Sequence, residues 1–313
     1  MHIGILGTGF GKYHGEQYKK IDPSIQLTFW GRDEEKLKGI SAEFQCKYTT
    51  DINEFLNDST FDFIDICLPT QLHAEYALKA IRNNHSVLIE TPAVTSLKEG
   101  FGIIEATKET GRKVLVDMFL RYDPYYCMLH DLTQSKKYGA LKHLAIYRKT
   151  PPIWGKLGSD AIASALMIHD LDFAAWLSKD LKLISSEVTI NSDNSGAVLD
   201  CLLADPSLKV HVHGNSMLSF DAPFSVGYEA TFEHATISYH ENSSKAAVEA
   251  ECIIYSEGKS ERVVFEPEAH CLALLRAVLK DFQNEKDSGL TIDHALPSLA
   301  IAFELTDACN TVS

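Results

Sequence analysis

The stretch "HIGILGTGFGKYHGEQYKK" (residues 2–20) sets the architecture of the first part of this chain. Residues 2–6 are an apolar run of buried-strand type, leading into a glycine-rich turn and a helical pattern reaching about Lys20. Gly7 allows a tight turn. Gly9 lets backbone N–H groups approach a pyrophosphate at the helix N-terminus, where the helix dipole also favours negative charge. In the usual G-x-G-x-x-G/A spacing the third small residue falls at position 12; here that is Lys12, with Gly11 one place early and Phe10 between the two glycines. A glycine turn after a strand is common, so the loop acquires meaning only from the segments downstream.

Those segments repeat the same unit. "QLTFW" (26–30), "FDFIDICLP" (61–69), "SVLIE" (86–90) and "KVLVDM" (113–118) alternate with helical patterns such as "RDEEKLKGISAEF" and "QLHAEYALKAIRN". Strands separated by helices at this spacing predict a parallel sheet covered on both faces, an α/β domain of doubly wound Rossmann type. From about residue 119 the texture changes. A helix over 124–135, a strand over 141–149, a Pro-rich loop and a helix over 160–177 precede a run of strand-like segments joined by Gly, Asn and Ser turns. That pattern predicts an α+β domain on a mostly antiparallel sheet. Helices over 268–285 and 293–310 close the chain. The expected division is 1–120 for the dinucleotide-binding domain and 121–313 for a substrate-binding and oligomerisation domain, with the final helix able to pack back on the first.

Bulk composition narrows the function classes. The 313 residues are 45% apolar and carry a net charge of −14, which argues against a nucleic-acid groove and against a polybasic membrane surface. No apolar run approaches the roughly 20 residues that span a bilayer, and the N-terminus has no signal-peptide character. Seven dispersed cysteines without a C-x-x-C fit reduced thiols in the cytoplasm better than disulfides or zinc. His211 and His213 share one strand face without a third ligand, so no metal is assigned.

The end of the second strand speaks to the cofactor. An acid there holds a free ribose 2′-OH, and an arginine accommodates a 2′-phosphate. The sequence has Gly31 and Arg32 before Asp33, which favours NADP over NAD, with Asp33 read as a helix N-cap.

With "GTGFGKYH", "ICLPTQLHAEYALKAI", "VLIETPAVT" and "IHDLDFAAWL" in order, the chain resembles the glucose–fructose oxidoreductase/inositol dehydrogenase (Gfo/Idh/MocA) family over nearly its full length. The resemblance implies a C-terminal domain with a large open sheet that packs against another subunit, hence a homodimer or homotetramer. The outer face of that sheet should then be less polar than one facing solvent. Carried over position by position, Gly7, Gly9, Phe10, Gly11, Arg32, Pro69, Thr70, His73 and Glu90 match places lining the cofactor, and His169 matches the substrate side of the nicotinamide.

The family's pattern is broken twice. Its Glu-Lys-Pro motif reads Glu90-Thr91-Pro92, and the acid expected four residues before the histidine is Ala165. Threonine cannot serve as an acid near neutrality, although its hydroxyl can donate a hydrogen bond worth about 1 kcal/mol; loss of a general acid costs about 10²–10⁴-fold in rate. His169 is the expected replacement, since imidazole titrates near neutrality, with Asp172 one turn on holding the ring. The alternative for this helix is that His169 and Asp170 satisfy each other. Tyr122 beside Arg121 and Lys149 beside Arg148 are lesser candidates, with Trp154 bordering the loop over the substrate. Three functions are compatible with these residues: an NAD(P)-dependent oxidoreductase acting on a sugar, cyclitol or related carbonyl; a reductase of an imine or conjugated double bond; or a non-catalytic NADP-binding regulator.

Overall fold

Every strand of the first sheet but one leads into a helix, and a helix between two strands returns the chain to the same end of the sheet, so the pairing is parallel. The computed structural model describes residues 1–244, 247–266 and 270–310. The first sheet contains β1 (His2–Leu6), β2 (Gln26–Trp30), β3 (Lys47–Thr49), β4 (Phe63–Ile66), β5 (Val87–Ile89) and β6 (Val114–Val116), all parallel, in the order β3-β2-β1-β4-β5-β6. This is the doubly wound order whose direction reverses between β1 and β4. The helices between them are α1 (Phe10–Ile21), α2 (Glu34–Phe44), α3 (Ile52–Leu56), α4 (His73–Arg82) and α5 (Leu97–Thr110). Ile3, Ile5, Phe29, Phe63, Ile64, Ile66, Leu88 and Leu115 are completely buried in this core. Several starts are capped locally: Asp33 accepts from the backbone of Lys36 at α2, and Ser96 from that of Glu99 at α5. β3 is not foreseen from the sequence, because "KYT" is a short edge strand with no buried residue.

The second sheet has eight strands: β7 (Leu141–Lys149), β8 (Lys182–Ile190), β9 (Ala197–Ala204), β10 (Lys209–Asn215), β11 (Phe224–Phe232), β12 (Ala235–Ser243), β13 (Val248–Ser256) and β14 (Lys259–Val263). Their order is β14-β13-β12-β11-β7-β10-β9-β8, and β7 with β10 is the parallel pair in an otherwise antiparallel sheet. One face buries Leu144, Ile146, Val210, Val212, Tyr228 and Ile237. Between residues 120 and 267 this part carries the helices α6 (Pro124–Ser135) and α7 (Ile168–Leu177).

The helix expected over 160–177 is broken. Ile162–Leu166 forms a π-type turn and α7 starts at Ile168. Gly214 of β10 marks the spot: a Cβ there would lie 2.5 Å from Met167, so the close approach of this joint to the sheet requires glycine.

The remaining helices are α8 (His270–Phe282) and α9 (Ile292–Asn310). The chain divides into one unit of Met1–Phe119 with Glu268–Leu296 and another of Leu120–Pro267 with Pro297–Ser313. Residues 268–296, counted with the second domain from the sequence, therefore lie with the first. The physical reason is local. Phe282 stacks on Phe63 at 4.2 Å, Lys113 bonds Asp281 at 2.8 Å, and the backbone of Val116 donates to Leu290 at 2.8 Å. The division falls inside α9, at Pro297.

Candidate functional site

At the carboxyl end of β1 the chain turns through Gly7, whose φ is +118°, a conformation open to glycine alone. A Cβ on Gly7 would stand 2.4 Å from the carbonyl oxygen of Cys67, so the turn presses directly on the end of β4. Gly9 is different: a Cβ there would meet nothing within 4 Å. It caps α1 without a side-chain hydrogen bond, and the first turn of the helix carries no acid. Gly11 performs the packing expected of the third glycine one place later, since a Cβ on it would lie 2.7 Å from Ile5. An uncapped helix end over open space, reached by a glycine turn at the reversal point of a parallel sheet, is a cradle that fits a diphosphate. Phe10, the first residue of α1, is 45% exposed beside it.

The second loop at this end comes from β4. Pro69 precedes a 3₁₀ turn at Thr70–Leu72; Pro69 is exposed and Thr70 half-buried. His73 departs from its expected place. Its ring is buried, with Nδ1 2.9 Å from the carbonyl of Pro92 and Nε2 2.6 Å from that of Leu68. The imidazole ties the β4 and β5 loops together, and at 1% exposure it has little surface to offer a ligand. At the end of β2, Arg32 is exposed. A Cβ on Gly31 would lie 2.8 Å from the Thr8 methyl, so an acid at that position would crowd the glycine turn.

Glu90 and Thr91 end β5. Both are half-buried, and the backbone N–H of Thr91 donates to Glu90 Oε2 at 3.2 Å. The other oxygen, Oε1, stands 2.8 Å from Nε2 of His14, a residue of α1 not singled out from the sequence. The His14 Nδ1 pairs with Asp65 at 2.8 Å, Tyr18 donates to the same Asp65 oxygen at 2.8 Å, and Asp117 lies 3.5 Å from Nε2. Burial works against a charge on His14, but its acidic neighbours Cys67, Asp65 and Glu90 outweigh it and hold the imidazole well above its usual range. Burial, then Asp117, pushes Glu90 up to about 7 against the pull of His14. Donor atoms of His14, Cys67 and Glu90 lie within 4.8 Å of one another. Both ring nitrogens already face carboxylates on opposite edges, which makes an acid–imidazole chain and not a metal cage. The sequence did carry a signal for it: Asp65 and Asp117 are acids inside apolar strand runs, "FIDI" and "VLVDM".

In the second unit, α7 presents His169 half-buried. Burial first and the positive charge of Arg148 second lower its pKa well below the ordinary imidazole value, so the ring is neutral at pH 7. The orienting partners expected for it are engaged elsewhere. Asp172 receives both Nε and a terminal nitrogen of Arg121 at 2.9 and 2.8 Å, and Asp170 receives Arg148 at 2.7 and 3.1 Å. Ala165 lies in the π-type turn, so counting back one helical turn from His169 does not apply. Tyr122 closes a 3₁₀ turn, Phe119–Tyr122, and its neighbour Arg121 is committed to Asp172. Lys149 lies over the ring of Tyr147 at 4.4 Å on the open face of the sheet, whereas Arg148 points into the buried face. Trp154 is exposed in its loop.

Turn, open helix end and sheet order together define a Rossmann module built to hold a dinucleotide. Residues 1–118 match the family model described as "Oxidoreductase family, NAD-binding Rossmann fold". Among curated relatives, a 4-carboxy-2-hydroxymuconate-6-semialdehyde dehydrogenase of Sphingobium sp. is 29% identical over 133 residues, covering 42% of each chain. An inositol 2-dehydrogenase of Rubrobacter xylanophilus is 25% identical over 177 residues, 56% of this chain and 51% of its own. The chain thus spans about half the length of the curated relatives it matches. A solved UDP-N-acetylglucosamine 3-dehydrogenase from Acidithiobacillus ferrooxidans superimposes with a TM-score of 0.81 at 19% identity, over 98% of this chain and 97% of that one. The matched model is that of the Gfo/Idh/MocA oxidoreductases, so it is the first unit of the chain that carries the likeness to that family.

Proposed function

We propose that this chain is an NAD(P)-dependent oxidoreductase that moves a hydride between nicotinamide and a small polar substrate, a sugar, cyclitol or related carbonyl. The observation that carries the reading is the pair Gly7 and Gly9, a forced turn followed by empty space at an uncapped helix end. The bound cofactor supplies the hydride chemistry; the residues of the chain hold it and manage the proton. Backbone N–H groups at the start of α1 would bind the diphosphate. Arg32 would face a 2′-phosphate, which favours NADP. His169, neutral at pH 7, would take the hydroxyl proton during oxidation and return it during reduction. Burial and Arg148 keep the ring in the neutral form that can accept a proton, while the same low basicity weakens its pull on the hydroxyl proton. The proposal also locates the chain in the cytoplasm, where seven free thiols stay reduced.

Thr91 favours a second reading. An imine arrives already protonatable and needs less from the residue at that position than a ketone does.

Fluorescence titration with NADPH and NADH, then turnover against sugars, cyclitols, ketones and imines, tests both. His169→Ala should leave cofactor affinity within about twofold and reduce turnover of hydroxyl substrates by roughly 10²-fold or more. Unchanged turnover would remove His169 from the chemistry. Thr91→Lys should raise sugar oxidation on the first reading and change nothing on the second.

A further inference from the structure

The chain of acids around His14 has no role in the proposed hydride transfer, yet it is built at cost. Side-chain exposure is 0% for His14 and Asp65, 4% for Asp117 and 14% for Glu90. Glu90 is thus the member through which solvent or a ligand meets the cluster. Nε2 of His14 approaches Glu90 Oε1 at 2.8 Å and Asp117 Oδ2 at 3.5 Å with its N–H aligned on neither. Glu90 Oε1 and Asp117 Oδ1 have no hydrogen-bond donor among the described residues. With all three carboxyl groups ionised around one imidazolium the cluster carries a net charge of −2, and buried orphan oxygens of this kind are expensive. A proton held by the cluster, on its most accessible acid, halves that excess.

The two halves of a doubly wound sheet each take one mononucleotide half of the cofactor, and the ends of β4, β5 and β6 belong to the second half. Asp65 and Cys67 come from β4 and its end, Glu90 follows β5, and Asp117 follows β6. We propose that this cluster is a proton site coupled to the redox state of the nicotinamide: Glu90 releases a proton to solvent when the oxidised, positively charged ring is bound and retains it when the reduced, neutral ring is bound. The inference rests on the reading of the first unit as a dinucleotide site.

The groups facing Glu90 come from every neighbouring element. From α1 come Tyr13, His14 and, through Asp65, Tyr18; from β4 and its end, Asp65 and Cys67; after β6, Asp117; from α8, Cys271. Burial raises both tyrosines and both thiols, so they stay neutral near pH 7. His14 stays charged. That leaves Glu90 as the group that changes state. The sign comes from linkage: a bound positive charge favours the carboxylate, so affinity for the oxidised cofactor rises with pH through the titration of Glu90 and levels off above it. A coupling of about one pK unit makes the oxidised-to-reduced affinity ratio rise about fivefold between pH 6 and pH 8. Taking the ratio cancels the titration of the cofactor's own phosphates, which both forms share.

Calorimetric titration of the full chain with NADP⁺ and NADPH, and with NAD⁺ and NADH, in two buffers of different ionisation enthalpy counts the protons directly. At pH 7 the oxidised form should release a substantial fraction of a proton and the reduced form close to none. Glu90→Gln should bind both forms with a ratio flat in pH. A flat ratio in the unaltered chain, or an undiminished slope in Glu90→Gln, overturns the proposal while leaving the cofactor reading intact. No saturable binding of either form at any pH overturns both. Should Glu90→Gln fail to fold, the proton count on the unaltered chain decides.

Discussion

Gly7 and Gly9 look alike in sequence and differ in physical role. The first is held at φ +118° with the Cys67 carbonyl where a Cβ would be; the second has free space. Gly7→Ala should therefore lower the free energy of unfolding by about 2 kcal/mol or more, through backbone strain and steric overlap. Gly9→Ala should leave stability nearly unchanged and weaken cofactor binding, because the new methyl enters the space kept for the diphosphate. Denaturant melts and NADPH titrations of the two variants separate the roles, and equal effects on stability would refute the distinction. The glycines were legible from the spacing of the motif. His14 was not, because a lone histidine on a helix carries no periodic signal, and its partners Asp65 and Asp117 lie 51 and 103 residues away along the chain. His169 shows the converse. Its position was legible, but the acids around it were not assignable, since i+1 and i+3 spacing does not say that Arg148 and Arg121 would claim Asp170 and Asp172.

At the scale of elements, alternation of apolar runs with helical patterns located nearly every strand of both sheets. The exceptions have physical causes. β3 and β14 are too short and exposed to produce a run, and the expected helix over 160–177 is interrupted at a joint that approaches Gly214 closely. The placement of α8 was also beyond the sequence: an amphipathic helix shows that it has an apolar face, not which surface it covers. Leu274 and Leu275 are completely buried. Leu275→Ala should cost about 3 kcal/mol by removing buried methyl groups, measured by the urea midpoint at constant m-value. A cost near that of a surface substitution, about 0.5 kcal/mol, would show that α8 contributes little to the first unit.

At the scale of the molecule, the open face of the second sheet is the feature that composition did not anticipate. The resemblance implied a face of low polarity, but His143 and His211 face each other at 5.2 Å, His213 bonds Asp200 at 2.8 Å, and Tyr147 bonds His240 at 2.8 Å. A depression of about 600 Å³ runs across it, lined by Tyr147, Lys149, Leu202, His211 and His213 among others. Polar groups there are largely satisfied by each other, which lowers the cost of covering them with a second copy of the chain. For a homodimer or homotetramer formed through this sheet, Leu202→Arg should shift the mass measured by light scattering towards the monomer. A monomeric unaltered chain would remove the proposal. Among the described residues no helix is long and apolar enough to cross a membrane.

Residue order alone was enough to establish the parallel first sheet, its glycine turn, the change to an antiparallel second sheet and the presence of a threonine directly after Glu90. These are short-range facts: side-chain period, glycine's access to positive φ, and residue identity at a fixed offset in a motif. Packing in three dimensions was needed to settle which charges neutralise which, that α8 returns to the first unit, that His73 is a strut, and that Glu90 shares a buried cluster with His14. Those depend on distances between residues remote along the chain, and buried electrostatics is set by neighbours in space, which no local pattern of residues encodes.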